Sequence, residues 1–157
     1  MIPLEPIGVI RSPRVDPTDD DWGDVIATIE LNDNFDTLAL DGLEEFSHAE
    51  IFFHLHRVAP ESIQRGTRHP RGNPAYPAVG IFAQRGRARP NRLAATMVEI
   101  VSRSGRVLTV RGLDAIDGSP VVDIKPVIQE FLPRTRVREP EWARDLMRNY
   151  WKKGGSK

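Results

Sequence analysis

Apolar and polar positions alternate with period two along most of this chain, and helical spacing is confined to two stretches. Ile7, Val9 and Ile10 around Gly8 predict a first strand over 6–12, stopped by Pro13. Val25, Ala27, Ile29 and Leu31 alternate with Ile26, Thr28 and Glu30, the pattern of a strand with one wetter face. In 32–47, Phe35, Leu38 and Leu43 lie at roughly helical spacing, with Asp33 or Asn34 as cap. They predict a short helix that Gly42 interrupts. The run 46–58 is rich in aromatic and branched side chains and predicts a central strand. Pro60, Gly66, Pro70, Gly72, Pro74 and Pro77 make 59–77 a long loop. A short apolar strand over 78–84 follows and breaks at Gln84.

Two apolar runs, 93–102 and 106–112, flank Arg103, Ser104 and Gly105 and predict a hairpin. A turn at Asp117 and Gly118 leads into a strand over 121–124, ended by Pro126. Trp142, Leu146 and Tyr150, four apart with Ala143 and Met147 beside them, predict an amphipathic helix over 140–151, its stripe facing the core or a subunit contact. Residues 152–157 are expected to fray. About seven short strands with few helices indicate a mainly β fold, an antiparallel barrel or sandwich. The expected organisation is one domain, with 1–139 forming the β unit and 140–157 its C-terminal helix and tail.

Composition narrows the function classes. The chain has 157 residues, enough for one domain with a real core, and no cysteine, which excludes disulfides, thiolate metal sites and cysteine nucleophiles. The first residues lack a basic segment followed by an apolar one, and no apolar run approaches membrane-spanning length, so a soluble cytoplasmic protein is expected. Charge is balanced at 22 basic and 22 acidic side chains but is unevenly distributed. No acid lies between Glu61 and Glu99, whereas Arg65, Arg68, Arg71, Arg85, Arg87, Arg89 and Arg92 all do. Acids gather instead at Asp16, Asp19, Asp20, Asp21 and Asp24. Such segregation lets a neutral chain present one positive face to a phosphate- or carboxylate-bearing partner.

The loop after Gln84 concentrates Arg85, Arg87 and Arg89, whose planar donor forks suit an anionic ligand; the alternative is a solvated basic loop. A second cluster is Asp114, Asp117 and Asp123 with Lys125. There the plainer reading is a turn-capping Asp117 and a solvated Asp123–Lys125 pair sharing a strand face. His48, His54 and His56 fall at even spacing and share a face if the strand is regular. Two- and six-residue spacing on one strand is poor geometry for a tetrahedral metal site, so packing and hydrogen bonding are preferred for His54 and His56, and no metal is expected. There is no Gly-rich dinucleotide fingerprint, phosphate loop or nucleophile elbow.

Three blocks occur in order: Gly42-Leu43-Glu44-Glu45-Phe46-Ser47-His48, then Gly80-Ile81-Phe82-Ala83-Gln84-Arg85 with Arg89-Pro90-Asn91, then Leu113-Asp114 followed by 117–126. Together they resemble the YaeB/TsaA-like family, which contains S-adenosylmethionine-dependent enzymes that methylate N6 of threonylcarbamoyladenosine in tRNA. The resemblance covers roughly 7–132. It implies a small β-barrel, a homodimer, and S-adenosylmethionine held by loops near the subunit interface. On that basis Phe82, Gln84, Arg85, Arg89, Asn91, Leu113, Asp123, Ile124 and Lys125 become cofactor-pocket candidates. Asp117, Asp123 or His48 becomes the acceptor of the N6 proton, and Arg65, Arg68, Arg71 and Arg87 become contacts for the tRNA substrate. The sequence departs from the family where Gly86-Arg87-Ala88 replaces Ser-Pro-His, where Arg92-Leu93-Ala94 replaces Pro-Ile-Gly, and where the acidic 16–24 replaces Arg-Gln-Pro. A methyltransferase with another acceptor, and a noncatalytic barrel that binds cofactor or RNA, are the competing expectations.

Overall fold

The computed structural model describes residues 1–152. Eight strands form: β1 (Gly8–Arg11), β2 (Ile26–Leu31), β3 (His48–His54), β4 (Thr67–Arg68), β5 (Val79–Gly80), β6 (Leu93–Ser104), β7 (Val107–Arg111) and β8 (Pro120–Pro126). Six of them close into a barrel in the order β1-β2-β7-β6-β3-β8, every pairing antiparallel, and β4 and β5 make a separate two-stranded ribbon. The mainly β barrel expected from sequence is therefore what forms.

Alternation sets which side chains go in. Ala49, Ile51 and Phe53 of β3 meet Val98, Thr96 and Ala94 of β6 across the pair, and Ile10, Ile29, Leu108, Val110 and Val121 complete a fully buried interior. Burying a side chain of this size contributes roughly 1.5–3 kcal/mol before packing terms, so closure of the barrel is the main source of stability. The intervening residues of β3, β6 and β8 face outward. In that outer layer Ala95, Phe52 and Asp123 form one row, and Met97, Glu50 and Lys125 the next. A bulge between Phe52 and Phe53 shifts the register against β8. Gly105, with φ of 55°, makes the tight β6–β7 turn anticipated from the sequence.

Three local expectations are corrected. The segment 32–47 is not an α-helix but a chain of turns ending in a 3-10 turn at Leu43–Glu45. Its amides reach back three residues only, as Phe35 to Asn32 and Ala39 to Asp36 do, and the Asp36 carboxylate takes the Leu38 amide at 2.8 Å. That side chain competes with helical bonding, and Gly42 at φ of 86° ends any continuation. The apolar run 78–84 gives only the two-residue β5, followed by a 3-10 turn at Ile81–Ala83 that buries Ile81 and leaves Phe82 78% exposed. The C-terminal helix α1 spans Glu141–Leu146 rather than 140–151. Beyond Met147 amides reach back only three residues, as Tyr150 to Met147 and Lys152 to Asn149 do, and the carbonyls of Asn149 and Tyr150 accept the amides of Asp21 and Trp22. The expected fraying of 152–157 falls, beyond Lys152, on residues outside those described.

Candidate functional site

Antiparallel closure brings the connections 12–25, 55–59, 84–92 and 112–119 to one end of the barrel, because β1, β3 and β7 finish there and β2, β6 and β8 begin there. The arginine loop is built from within. The Gln84 amide side chain donates to the carbonyls of Arg68 and Val79, both at 3.0 Å, pinning the loop to the β4–β5 ribbon. Arg89 donates to the carbonyls of Gln84 at 2.8 Å and Gly86 at 3.2 Å, which holds the loop's curve. Arg85 reaches forward instead and donates to the carbonyl of Ala95 at 2.6 Å.

The turn after β7 arrives at the neighbouring residue. Asp114 accepts the hydroxyl of Thr96 on one oxygen and the hydroxyl of Tyr150 on the other, across sequence separations of 18 and 36 residues. Burial first, and then the Asp114 charge and its hydrogen bond, push the Tyr150 phenol well above its ordinary pKa, while Arg71 and Arg85 oppose this from nearby. Arg85 and Asp114 thus stand together at the barrel mouth, one guanidinium and one carboxylate, held by consecutive residues of β6. Each oxygen of Asp114 retains a lone pair for a ligand.

The C-terminal segment seals this end. Tyr150 bonds Asp114, Trp22 packs with 2% exposure beside it, and Tyr76 donates its hydroxyl to Asp145 at 2.8 Å. Arg14 stacks over the Trp22 ring at 4.5 Å and donates to the Thr18 hydroxyl and the Asp20 carbonyl, which folds the acidic loop inward.

The remaining sequence candidates scatter. Asp117 accepts the Ser12 amide at 3.1 Å and its own amide bonds the Arg14 carbonyl, so it ties the connection between β7 and β8 to the one after β1 rather than capping its own turn. Asp123 lies on the outer face of β8, taking the Ile124 amide and pairing with Lys125 at 3.2 Å, as the strand-face reading expects. The register Ala95–Phe52–Asp123 puts Asp123 two strands from the Arg85 anchor, about 10 Å away. His48 is bonded to the Ser47 hydroxyl at 2.6 Å at the opposite end of β3, roughly 20 Å along the strand from the arginine loop. The three proton-acceptor candidates therefore do not share one pocket. His48 and His54 do share the outer face of β3, but His56 lies beyond the strand's end. Burial, then the neighbouring charges of Arg92 and His56, lower the His54 pKa.

Leu113 is fully buried in the core and offers only backbone, whereas Ile124 packs against the core from a half-buried position and Asn91 is exposed. Arg71 pairs with Asp20 at 3.0 Å and Arg87 donates to the Pro17 carbonyl at 3.0 Å, so both are drawn to the acidic loop; Arg65 and Arg68 have no partner among the described residues. Thr96 is not among the sequence candidates, and Tyr150 enters there only as a stripe residue of the C-terminal helix. Thr96 carried a signal, being the one hydroxyl on an inward face otherwise made of Ala94, Val98 and Ile100. No group of three or more His, Asp or Glu residues suited to a metal ion occurs among the described residues, and none of their helices is long and apolar enough to cross a membrane.

The chain is 38% identical to a probable S-adenosyl-L-methionine-binding protein of Methanothermobacter thermautotrophicus, over 83% of this chain and 93% of that protein. It is 37% identical to the tRNA (adenine(37)-N6)-methyltransferase of Homo sapiens over 65% of this chain, but spans only 23% of the human protein. The crystal structure of TrmO from Pseudomonas aeruginosa superposes with a TM-score of 0.72 at 28% identity, covering 88% of this chain and 61% of that one. The tRNA-methyltransferase O N-terminal domain matches residues 14–131, which take in the arginine loop, Asp114 and β8, and this chain belongs to that family.

Proposed function

We propose that this protein is an S-adenosylmethionine-dependent methyltransferase that modifies N6 of threonylcarbamoyladenosine in tRNA, acting in the cytoplasm as a homodimer. The family match over 14–131 carries the proposal, since it spans both turns that meet at β6. The donor set fits the cofactor chemically. A methionine carboxylate calls for a guanidinium, which Arg85 provides, and an α-ammonium calls for a carboxylate, which Asp114 provides. Phe82, 78% exposed and on the same connection as Arg85, offers an apolar surface for an adenine ring.

The bound cofactor supplies an activated methyl group on a sulfonium. The protein's work is to align the acceptor, keep water away and take a proton, because a carbamoylated N6 is a weak nucleophile until deprotonated. Among Asp117, Asp123 and His48, Asp123 is the one in the same outer-face row as Ala95, which anchors Arg85, so it is assigned the proton. Its carboxylate pairs with Lys125 at 3.2 Å and accepts the Ile124 amide. Arg65 and Arg68, whose side chains have no partner among the described residues, are available to phosphates or to the threonyl carboxylate.

A dimer is supported by apolar side chains on the outer face of β6, where Leu93 and Met97 are 38% and 46% exposed. Incubation with methyl-labelled cofactor and tRNA lacking the mark, followed by nucleoside analysis, tests the proposal. Label in threonylcarbamoyladenosine supports it. Cofactor binding without transfer to any tRNA points to another acceptor, in line with Arg71 and Arg87 being engaged by the acidic loop.

A further inference from the structure

Most arginines of this chain are tied to the protein itself. Arg11, Arg57, Arg71, Arg103, Arg111, Arg144 and Arg148 have carboxylate partners, and Arg14, Arg85, Arg87, Arg89, Arg92 and Arg106 donate to backbone carbonyls. Five have neither among the described residues: Arg65, Arg68, Arg134, Arg136 and Arg138. Three of these five alternate within one short stretch, beyond residue 131 where the family match ends.

That stretch belongs to an arm joining β8 to α1. The arm leaves the barrel when the Val127 amide bonds the His48 carbonyl, makes a 3-10 turn at Gln129–Phe131, and then runs without turn or bend from Arg136 to Pro140. Most of its side chains are exposed, including three apolar ones, Ile128 at 39%, Phe131 at 83% and Val137 at 67%. No acid lies between Glu130 and Glu139, and Glu139 is already paired with Arg144 at 3.5 Å. Arg134 and Thr135 form a bend, and where the chain beyond them is extended, residues two apart such as Arg136 and Arg138 project to the same side about 6.6 Å from one another. This spacing is comparable to the step between successive phosphates of a nucleic-acid strand. An exposed phenylalanine at the head of such a row supplies a face on which an unstacked base can lie.

We infer that the arm around Phe131, Arg134, Arg136 and Arg138 is an RNA-docking strip that grips the phosphate backbone of single-stranded or loop nucleotides outside the methylation site. It rests on the proposed tRNA substrate, and it adds a second contact surface supplied by the segment after the barrel. Guanidinium groups already committed to internal carboxylates would have to break those bonds to serve the same purpose, whereas these three do not.

The test compares the full-length protein with Arg134→Gln/Arg136→Gln/Arg138→Gln, with Phe131→Ala, and with the control Arg144→Gln/Arg148→Gln. Unmethylated tRNA is the probe, over a range of salt concentrations, and S-adenosylmethionine is titrated separately. The triple variant is expected to lose about ten- to hundredfold in tRNA affinity near 0.1 M salt, with the slope of log affinity against log salt shallower by about 2. Phe131→Ala is expected to lose affinity without changing that slope, and the control to change neither. Cofactor affinity and the oligomeric mass stay as in the wild type. Wild-type tRNA affinity and salt slope in the triple variant overturn the inference, as does a changed oligomeric mass, which would make the arm a subunit contact. Wild-type protein that binds tRNA through the arm yet transfers no methyl group defeats the proposed activity and leaves the docking strip standing. Wild-type protein that binds no tRNA defeats both.

Discussion

Arg85 and Asp114 are fastened to consecutive residues of one strand, the guanidinium to the carbonyl of Ala95 at 2.6 Å and the carboxylate to the hydroxyl of Thr96. A backbone carbonyl lies in the plane of the sheet and an inward side chain stands off it, so the two anchors hold opposite charges at the same level of the barrel without neutralising each other. Thr96→Val keeps the shape but leaves the half-buried Asp114 one donor short. Urea denaturation is expected to show a loss of about 1–3 kcal/mol, the cost of an unsatisfied charged acceptor.

Tyr150 gives the same carboxylate its second donor, and burial and the adjacent charge raise its pKa above the ordinary value of 10.0. The folded state therefore holds this proton where the unfolded state releases it. The stability it contributes is complete below pH 10 and is lost as pH rises beyond that. In Tyr76→Phe, where Tyr150 is the remaining tyrosine, phenolate absorbance is expected to stay absent at pH 10 and to appear together with unfolding.

His54 works in the opposite direction. Its folded pKa lies below 6.5, so on acidification the unfolded chain takes up the proton first. The stability associated with the neutral imidazole is complete above about 6.5 and declines as pH falls toward the folded value. Melting curves of His54→Gln are expected to show a weaker dependence on pH below that point than the wild type.

Gly23 allows the C-terminal segment to lie against the acidic loop. A Cβ built there comes 2.1 Å from the Trp151 carbonyl oxygen. Since that oxygen is backbone, Gly23→Ala is expected to push the segment away, breaking the Trp22–Tyr150 amide bond and the Tyr150–Asp114 contact. Faster backbone hydrogen exchange at 21–22 and 147–151, with the barrel strands unchanged, is the expected readout.

The barrel strands were legible because alternation is local: Ala27 and Ile29, or Ala49, Ile51 and Phe53, announce their inward face within a few residues. The turn at Gly105 was legible for the same reason. Phe35, Leu38 and Leu43 misled because helical spacing does not reveal that Asp36 will take a nearby amide. The strand over 78–84 gave way to two residues because Ile81 had to turn inward under a ribbon formed with Thr67 and Arg68. Arg85 stood out by residue type and by family motif. Its partnership with Asp114 did not, since it depends on which residues of β6 lie at the mouth once the barrel has closed. Tyr150 was legible as an apolar stripe residue, but its hydroxyl declared a need for a partner without saying which one.

Calorimetric titration with S-adenosylmethionine of the wild type, Arg85→Gln, Asp114→Asn and the double variant tests the central claim most directly. Saturable binding by the wild type is expected, with a loss of about tenfold or more in each single variant, as for one charge-assisted hydrogen bond. The double variant should bind weakest while still unfolding cooperatively. Wild-type affinity in the double variant would contradict the claim that these two turns of the barrel hold the cofactor.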